Sequence, residues 1–174
     1  MKSPLFFCTS LCLFIIACGN PVKQSDTVTI SATESKKLTT ENYLSMDING
    51  VQWKADHDIF GAFHPKGYNN VIMISGKKGA KDATEQGFNI NIYNTVGTGS
   101  YYLKNDNTDL SVAQMSGWDE QNFICGSGTG FEMRVKITSI SSNPDLVEAT
   151  FEGEMICVMN DILKITNGKF YYHE

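Results

Sequence analysis

The sequence predicts an all-β fold, either an antiparallel β-sandwich or a small closed barrel of about 9–11 short strands. Three observations point there. No window of about 11 residues sustains the 3.6-residue periodicity of an amphipathic helix. Several stretches alternate apolar and polar residues, the pattern of a half-buried strand. Turn-forming pairs such as Asn-Gly and Asn-Pro, and Gly-rich runs, recur between them every ~8–14 residues.

The elements follow in order. Tyr43 to Ile48 reads as a strand, Asn49-Gly50 as a tight turn, and Val51 to Ala55 as the returning strand. Asn-Gly suits a two-residue hairpin loop because both of its residues accept positive φ. Ile59 to Phe63 is a third strand, before a loop holding Pro65, Gly67, Asn69 and Asn70. Val71 to Ser75 is continuously apolar up to its last residue and reads as a strand buried on both faces. A polar loop from Gly76 to Gly87 leads to clean alternation, with Phe88, Ile90 and Ile92 on one face and Asn89, Asn91 and Tyr93 on the other. Ser100 to Leu103 follows Gly97 and Gly99, and Asn105 to Asp109 is a polar turn. Leu110 to Met115 fits a strand or one helical turn, and Phe123 to Cys125 a short strand.

The clearest hairpin lies near the end. Phe131, Met133, Val135 and Ile137 alternate with Glu132, Arg134, Lys136 and Thr138. After a turn at Asn143-Pro144, Val147, Ala149 and Phe151 alternate with Glu148, Thr150 and Glu152. This pairing sets Arg134 and Lys136 near Glu152 and Glu148, on a face that reads as solvated rather than as a binding site. Met155 to Met159, Ile162 to Thr166 and Lys169 to His173 complete the set, with Asn167-Gly168 a second tight turn or a bulge.

Ahead of the strands stands a different kind of segment. Leu5 to Ala17 is a mostly apolar run behind Lys2. It is too short for a membrane span, which needs roughly 20 residues, and it fits the core of a secretory signal. Ile15-Ile16-Ala17-Cys18 resembles the lipobox of bacterial lipoproteins, where the bond before the cysteine is cut and the cysteine is lipidated. That resemblance implies a signal peptide over residues 1–17 and a lipid anchor on Cys18. An ordinary signal peptide cut elsewhere is the alternative. Gly19, in place of the Asp that resembles an inner-membrane retention signal, favours the outer membrane. Lys23-Gln24-Ser25-Asp26 is unlike the acidic cluster of surface-exposed Bacteroidota lipoproteins, which favours the periplasmic face. Residues 18–41 are the lipidated cysteine and a tether rich in Ser and Thr that cannot bury area; it spans about 25–30 Å if flexible. Asp26-Thr27-Val28 resembles a Bacteroidota O-glycosylation sequon and makes Thr27 a candidate acceptor. Residues 42–174 form the β domain.

The chain carries 14 basic and 19 acidic residues, a formal net charge of −5. Lys2 is the only charge in the signal, so its loss leaves 13 against 19, or −6. A mildly acidic chain with no basic run in sequence argues against nucleic acid as a partner and against electrostatic docking on anionic lipid. Cys8 and Cys12 leave with the signal. Cys125 and Cys157 then remain in an oxidising compartment, where a pair is expected to be bridged; two separate buried thiols are the alternative. No Cys-x-x-Cys is present and His57, His64 and His173 are scattered, so neither a metal nor a cofactor is expected.

No catalytic motif stands out. Cys125-Gly126-Ser127-Gly128-Thr129-Gly130 has the glycines of a phosphate loop but no Lys at the required place and a strand, not a helix, after it. It reads as a flexible hairpin loop. Asp56-His57-Asp58 with His64 suggests a His-carboxylate relay or a metal pair. Strand alternation puts Asp56 and Asp58 on a face that His57 leaves, which reads as a solvated strand end. Trp53, Trp118, Tyr101, Tyr102, Tyr171 and Tyr172 are the residues a glycan- or lipid-binding site would use, although most of such a set suits a core or sheet surface. Trp53, Trp118 and Tyr101 are the candidate ligand-binding aromatics, with Trp118 in its Ser-Gly-Trp-Asp loop the best placed.

Three stretches, Asp47-Ile48-Asn49-Gly50-Val51-Gln52-Trp53-Lys54-Ala55, Gly97-Thr98-Gly99-Ser100-Tyr101 and Leu163-Lys164-Ile165-Thr166-Asn167-Gly168-Lys169-Phe170, together resemble a group of small uncharacterised Bacteroidota lipoproteins. The resemblance implies an all-β, lipocalin-like or sandwich fold and an envelope address. It implies no catalytic residue. The expected function is therefore a lipid-anchored binding or accessory protein that holds a small apolar molecule, a glycan or an envelope partner. A protein–protein interaction module of inhibitor or immunity type is the second expectation. A hydrolase using two carboxylates is the third.

Overall fold

The computed structural model describes residues 41–64, 70–106 and 110–174. The signal, Cys18, Thr27, the tether to residue 40 and parts of the loops after Phe63 and Asn105 lie outside the described residues. Eleven strands run in chain order: β1 (Tyr43–Ile48), β2 (Val51–Lys54), β3 (His57–His64), β4 (Val71–Lys78), β5 (Gln86–Ile92), β6 (Gly99–Lys104), β7 (Val112–Ser116), β8 (Ile124–Gly126), β9 (Phe131–Ser142), β10 (Asp145–Ile156) and β11 (Ile162–His173). They form a six-stranded antiparallel sheet ordered β2-β1-β11-β10-β9-β6 and a five-stranded one ordered β3-β4-β5-β7-β8. The sheets pack as a sandwich and do not close into a barrel.

Alternation builds the core between them. Phe88, Ile90 and Ile92 of β5 and Met133, Val135 and Ile137 of β9 are all buried, with polar residues between them. Phe88 stacks on Phe151 of the opposite sheet at 5.3 Å between ring centroids, and Trp53 tilts against Phe88 at 6.3 Å. Every buried side-chain nitrogen and oxygen among the described residues has a hydrogen-bond partner, as a stable interior requires.

Asn49 and Gly50 take φ of 52° and 81°, as the expected two-residue turn demands. The end of the chain differs from expectation. The stretches 147–152 and 155–159 belong largely to one strand, β10, and 162–166 with 169–173 form one strand, β11. Asn167-Gly168 is a bulge, with Asn167 at φ 54° and the register shifting between Phe151 and Gly153 on the paired strand. A bulge absorbs one residue and bends the strand instead of ending it. A second irregularity, between Glu148 and Ala149, sets Glu148 opposite Ser139. Beyond it Lys136 faces Thr150, with Glu148 and Glu152 two residues to either side of that partner, and Arg134 faces Glu152.

Cys125 on β8 and Cys157 just past β10 are joined by a disulfide, with Cα atoms 3.8 Å apart. Those strands lie in different sheets, so the bridge ties the two layers together at one end of the sandwich.

Candidate functional site

Two of the three candidate aromatics, Trp53 and Trp118, meet through the side chain of Gln86, and Tyr101 stands apart from them on β6. Trp53 is unavailable to a ligand: it is 2% exposed, sits in the core, and its indole N–H donates to Gln86 Oε1 at 2.8 Å. Trp118 lies partly buried against the core, and its carbonyl accepts from Gln86 Nε2 at 3.1 Å. Tyr101 is also packed against the core, and its hydroxyl donates to the Gly97 carbonyl at 2.5 Å. The exposed ring is its neighbour Tyr102, on the outer side of β6. Alternation along the strand decides this, since Leu103 and Tyr101 turn inward and Tyr102 outward.

Tyr102 borders a depression of about 700 Å³ on the outer face of the six-stranded sheet. Arg134, Lys136, Thr150, Glu152 and Lys169 form its walls, with sheet backbone at Val135, Phe151 and Gly168 beneath. Two smaller depressions adjoin it. One, of about 340 Å³, shares Arg134 and Glu152; the other, of about 280 Å³, shares Asn167 and Lys169 and reaches Asp47 and Gln52. Together they make a groove crossing all six strands. The bulge of β11 at Asn167 lies in it, and a bulge bends its strand and sharpens the local twist. This outer face, expected to be merely solvated, carries the groove.

Tyr102 is held in place at this groove. Arg134 Cζ sits 5.8 Å from the centre of its ring, a cation–π contact. A hydrogen bond to Glu132 holds its phenol above the usual range. A flat ring fixed beside a row of hydroxyls and charges is what a sugar ring packs against, with the apolar face on the ring and the hydroxyls on the polar groups.

The Asp56-His57-Asp58 stretch also departs from expectation. Asp58 takes φ 50°, and the β3–β4 register skips between His57 and Phe60. The irregularity breaks strict alternation and brings the three residues together with Glu85, just before β5. His57 bonds Asp56 through Nδ1 and Glu85 through Nε2, the latter at 2.9 Å. Lys77 Nζ lies 2.7 Å from Glu85 and 3.7 Å from Asp58, and Lys81 lies 3.2 Å from Asp58. His64 stands at the far end of β3. The ligand atoms of His57, Asp58 and Glu85 lie within 4.8 Å of one another, as metal ligands would. The Lys77 ammonium, however, already bridges Asp58 and Glu85. With His57 protonated, three cations face three carboxylates, and the cluster is a self-neutralised latch joining β3, β4 and β5.

Only an imidazolium can donate from both ring nitrogens. The bonds to Glu85 and then Asp56 accordingly hold His57 above its usual value. Glu85 is held low by Lys77 and His57, and Asp56 by His57 and the Gly79 amide. The raised group stabilises the fold fully below about pH 6.5, and that contribution is lost as pH rises through its folded value. The lowered carboxylates contribute above about pH 4.5 and lose it as pH falls. The latch is thus strongest between about pH 4.5 and 6.5. In thermal melts from pH 6 to 9, His57→Gln is expected to flatten the alkaline decline of the wild-type protein. Parallel curves for the two proteins would remove the latch from the account.

The Gly-rich stretch is a tight connection between β8 and β9. The Ser127 amide donates to the Ala113 carbonyl at 2.9 Å, and the Thr129 and Gly130 amides to Gly126 at 2.9 and 2.6 Å. Those N–H groups are already used within the chain and do not form a phosphate cradle. At the same end, Phe123, Ile156, Val158, Met159 and Ile162 are apolar and exposed. Asn122, 3% exposed, fixes them: it bonds Asp161 at 2.8 Å and accepts from the Met159 amide.

No protein-family model matches the chain, and no curated protein or solved structure does.

Proposed function

We propose that this protein is a non-catalytic, lipid-anchored envelope protein that binds an extended glycan along the outer groove of its six-stranded sheet. The groove itself supports this reading: it is long and open, with charged and hydroxyl side chains along a largely apolar floor and one fixed aromatic ring. The space between the sheets is packed with side chains 0–7% exposed, which favours a ligand held on the surface over a small apolar molecule held inside. The lipobox-like Ile15–Cys18 segment supports the anchor and the outer-membrane address, and Thr27 would be glycosylated in the tether.

Calorimetric titration of the purified protein with a panel of linear oligosaccharides tests it. At least one is expected to bind, and Tyr102→Ala to weaken that binding by about 5–10-fold, the value of a ring contact of roughly 1 kcal/mol. Binding that ignores Tyr102 and Arg134 would move the site elsewhere. Release of shorter oligosaccharides would instead support the hydrolase reading, which the opposed Glu132 and Glu154 beside the groove could serve. The exposed apolar residues around the disulfide favour a second reading, docking of a partner protein on that end of the sandwich.

A further inference from the structure

The outer face carries a charge pattern that the sequence hides. The strand registers line up one residue from each strand in a single row: Ser100 on β6, Lys136 on β9, Thr150 on β10, Lys169 on β11, Ser45 on β1 and Lys54 on β2. Directly opposed residues share a face, so hydroxyls and lysines alternate across the whole sheet. Adjacent strands lie about 4.8 Å apart, which spaces successive lysines by about 10 Å. None of the three is ion-paired or hydrogen-bonded within 4 Å to another described residue. The rest of the chain is acidic, with a net charge of −5, so the row is not a by-product of a basic surface. Lys136 and Lys169 line the depression of about 700 Å³ beside Tyr102, and Lys169 also lines the adjoining one of about 280 Å³.

We infer that the groove takes an acidic polysaccharide that carries a carboxylate on every second sugar. This rests on the glycan-binding reading above and adds the class of ligand. Two sugar rings of an extended chain span close to the lysine spacing, so uronate carboxylates fall on Lys136, Lys169 and Lys54. The intervening neutral sugars then lie over Thr150 and Ser45, whose hydroxyls exchange hydrogen bonds with theirs. Tyr102, one position along from Ser100 on the same outer face's next row, offers its ring at the β6 end. Flanking carboxylates at Glu148, Glu152 and Asp47 narrow the choice. They repel a polymer charged at every unit, such as a phosphodiester strand, and leave room for one whose charges are spaced apart.

The test compares four probes by calorimetry against the whole protein: hyaluronan and unsulfated chondroitin octasaccharides, which carry uronate on every second sugar, the neutral chitohexaose, and a single-stranded oligothymidylate. The two acidic glycans are expected to bind at least tenfold more tightly than the other two, and more weakly as salt rises. Lys136→Ala with Lys169→Ala is expected to remove that advantage. These side chains are exposed and form no ion pair or hydrogen bond with another described residue, so their loss leaves the melting temperature almost unchanged. Equal binding of chitohexaose, untouched by the lysine changes but weakened by Tyr102→Ala, would overturn the acidic ligand and keep the groove. Tightest binding by the oligothymidylate would overturn it in favour of a dense polyanion. No binding by any of the glycans would take the glycan reading of the groove down with it.

Discussion

Replacing Cys125 and Cys157 together by alanine is expected to lower the free energy of unfolding by about 3–4 kcal/mol. The two residues stand 32 apart in sequence, so the bridge removes the entropy of a sizeable open loop from the unfolded chain. Its place in the fold makes a compensating rearrangement difficult. β8 has only three residues and pairs with one neighbour in its sheet, β7. Its other support is the corner where Val158 donates to the Ile124 carbonyl at 3.1 Å and Ile156 to Gly130 at 2.8 Å. Both cysteines are buried, 0% and 1% exposed, so reagents reach the bridge only after local opening. Denaturant titrations of wild type, oxidised and reduced, and of the double alanine variant measure this directly. The reduced wild type and the variant are expected to coincide near the lower value. A loss below about 1 kcal/mol would mean that the corner hydrogen bonds already hold the sheets together without the covalent link.

Fold class was legible because it depends on local signals. Alternation in β5, β9 and β10 and the Asn49-Gly50 turn each follow from a few adjacent residues, and each appears in the structure. The site was not legible, because every part of it depends on which strands become neighbours and in what register. Lys54, Lys136 and Lys169 are far apart in sequence and show no basic run; only the order β2-β1-β11-β10-β9-β6 lines them up. Bulges compound the difficulty, since a one-residue slip changes every opposed pair. One of them moves Lys136 from opposite Phe151, where the unbroken hairpin register would put it, to opposite Thr150 on the outer face. Another gathers His57, Asp58 and Glu85, which strict alternation keeps apart. The signal for the second was present only as Asp58, a residue tolerant of positive φ inside a strand-like stretch. Tyr102 stands among the aromatics suited to a glycan site, but the choice falls on its inward neighbour Tyr101; parity along β6 distinguishes them.

Phe151→Ala is expected to cost about 3–5 kcal/mol, the range for losing a buried phenylalanine. The ring is 4% exposed, stacks on Phe88 across the two sheets, and forms part of the layer directly beneath the groove. Its opposite partner on β11 is Gly168. A Cβ built on that glycine would lie 2.4 Å from Phe151 Cδ2 and 2.4 Å from the Phe151 carbonyl oxygen. The ring occupies the space a side chain would need, so Gly168→Ala is expected to overpack this point and cost about 2–3 kcal/mol. The pair therefore makes a double-mutant cycle with a definite sign. In the Phe151→Ala background the ring clash is gone, and alanine at 168 fills part of the void. The carbonyl contact remains, so the second substitution is expected to cost less there without becoming neutral. A coupling of about 1–2 kcal/mol between the two positions follows. Additive costs would mean that the backbone contact, not the ring, excludes a side chain at Gly168. The same variants bear on binding, because Gly168 lies between Asn167 and Lys169 at the bulge. Gly168→Ala is expected to displace Lys169 from its place in the row and weaken glycan binding even at temperatures where the protein remains fully folded, whereas a change confined to the core would leave binding as it was.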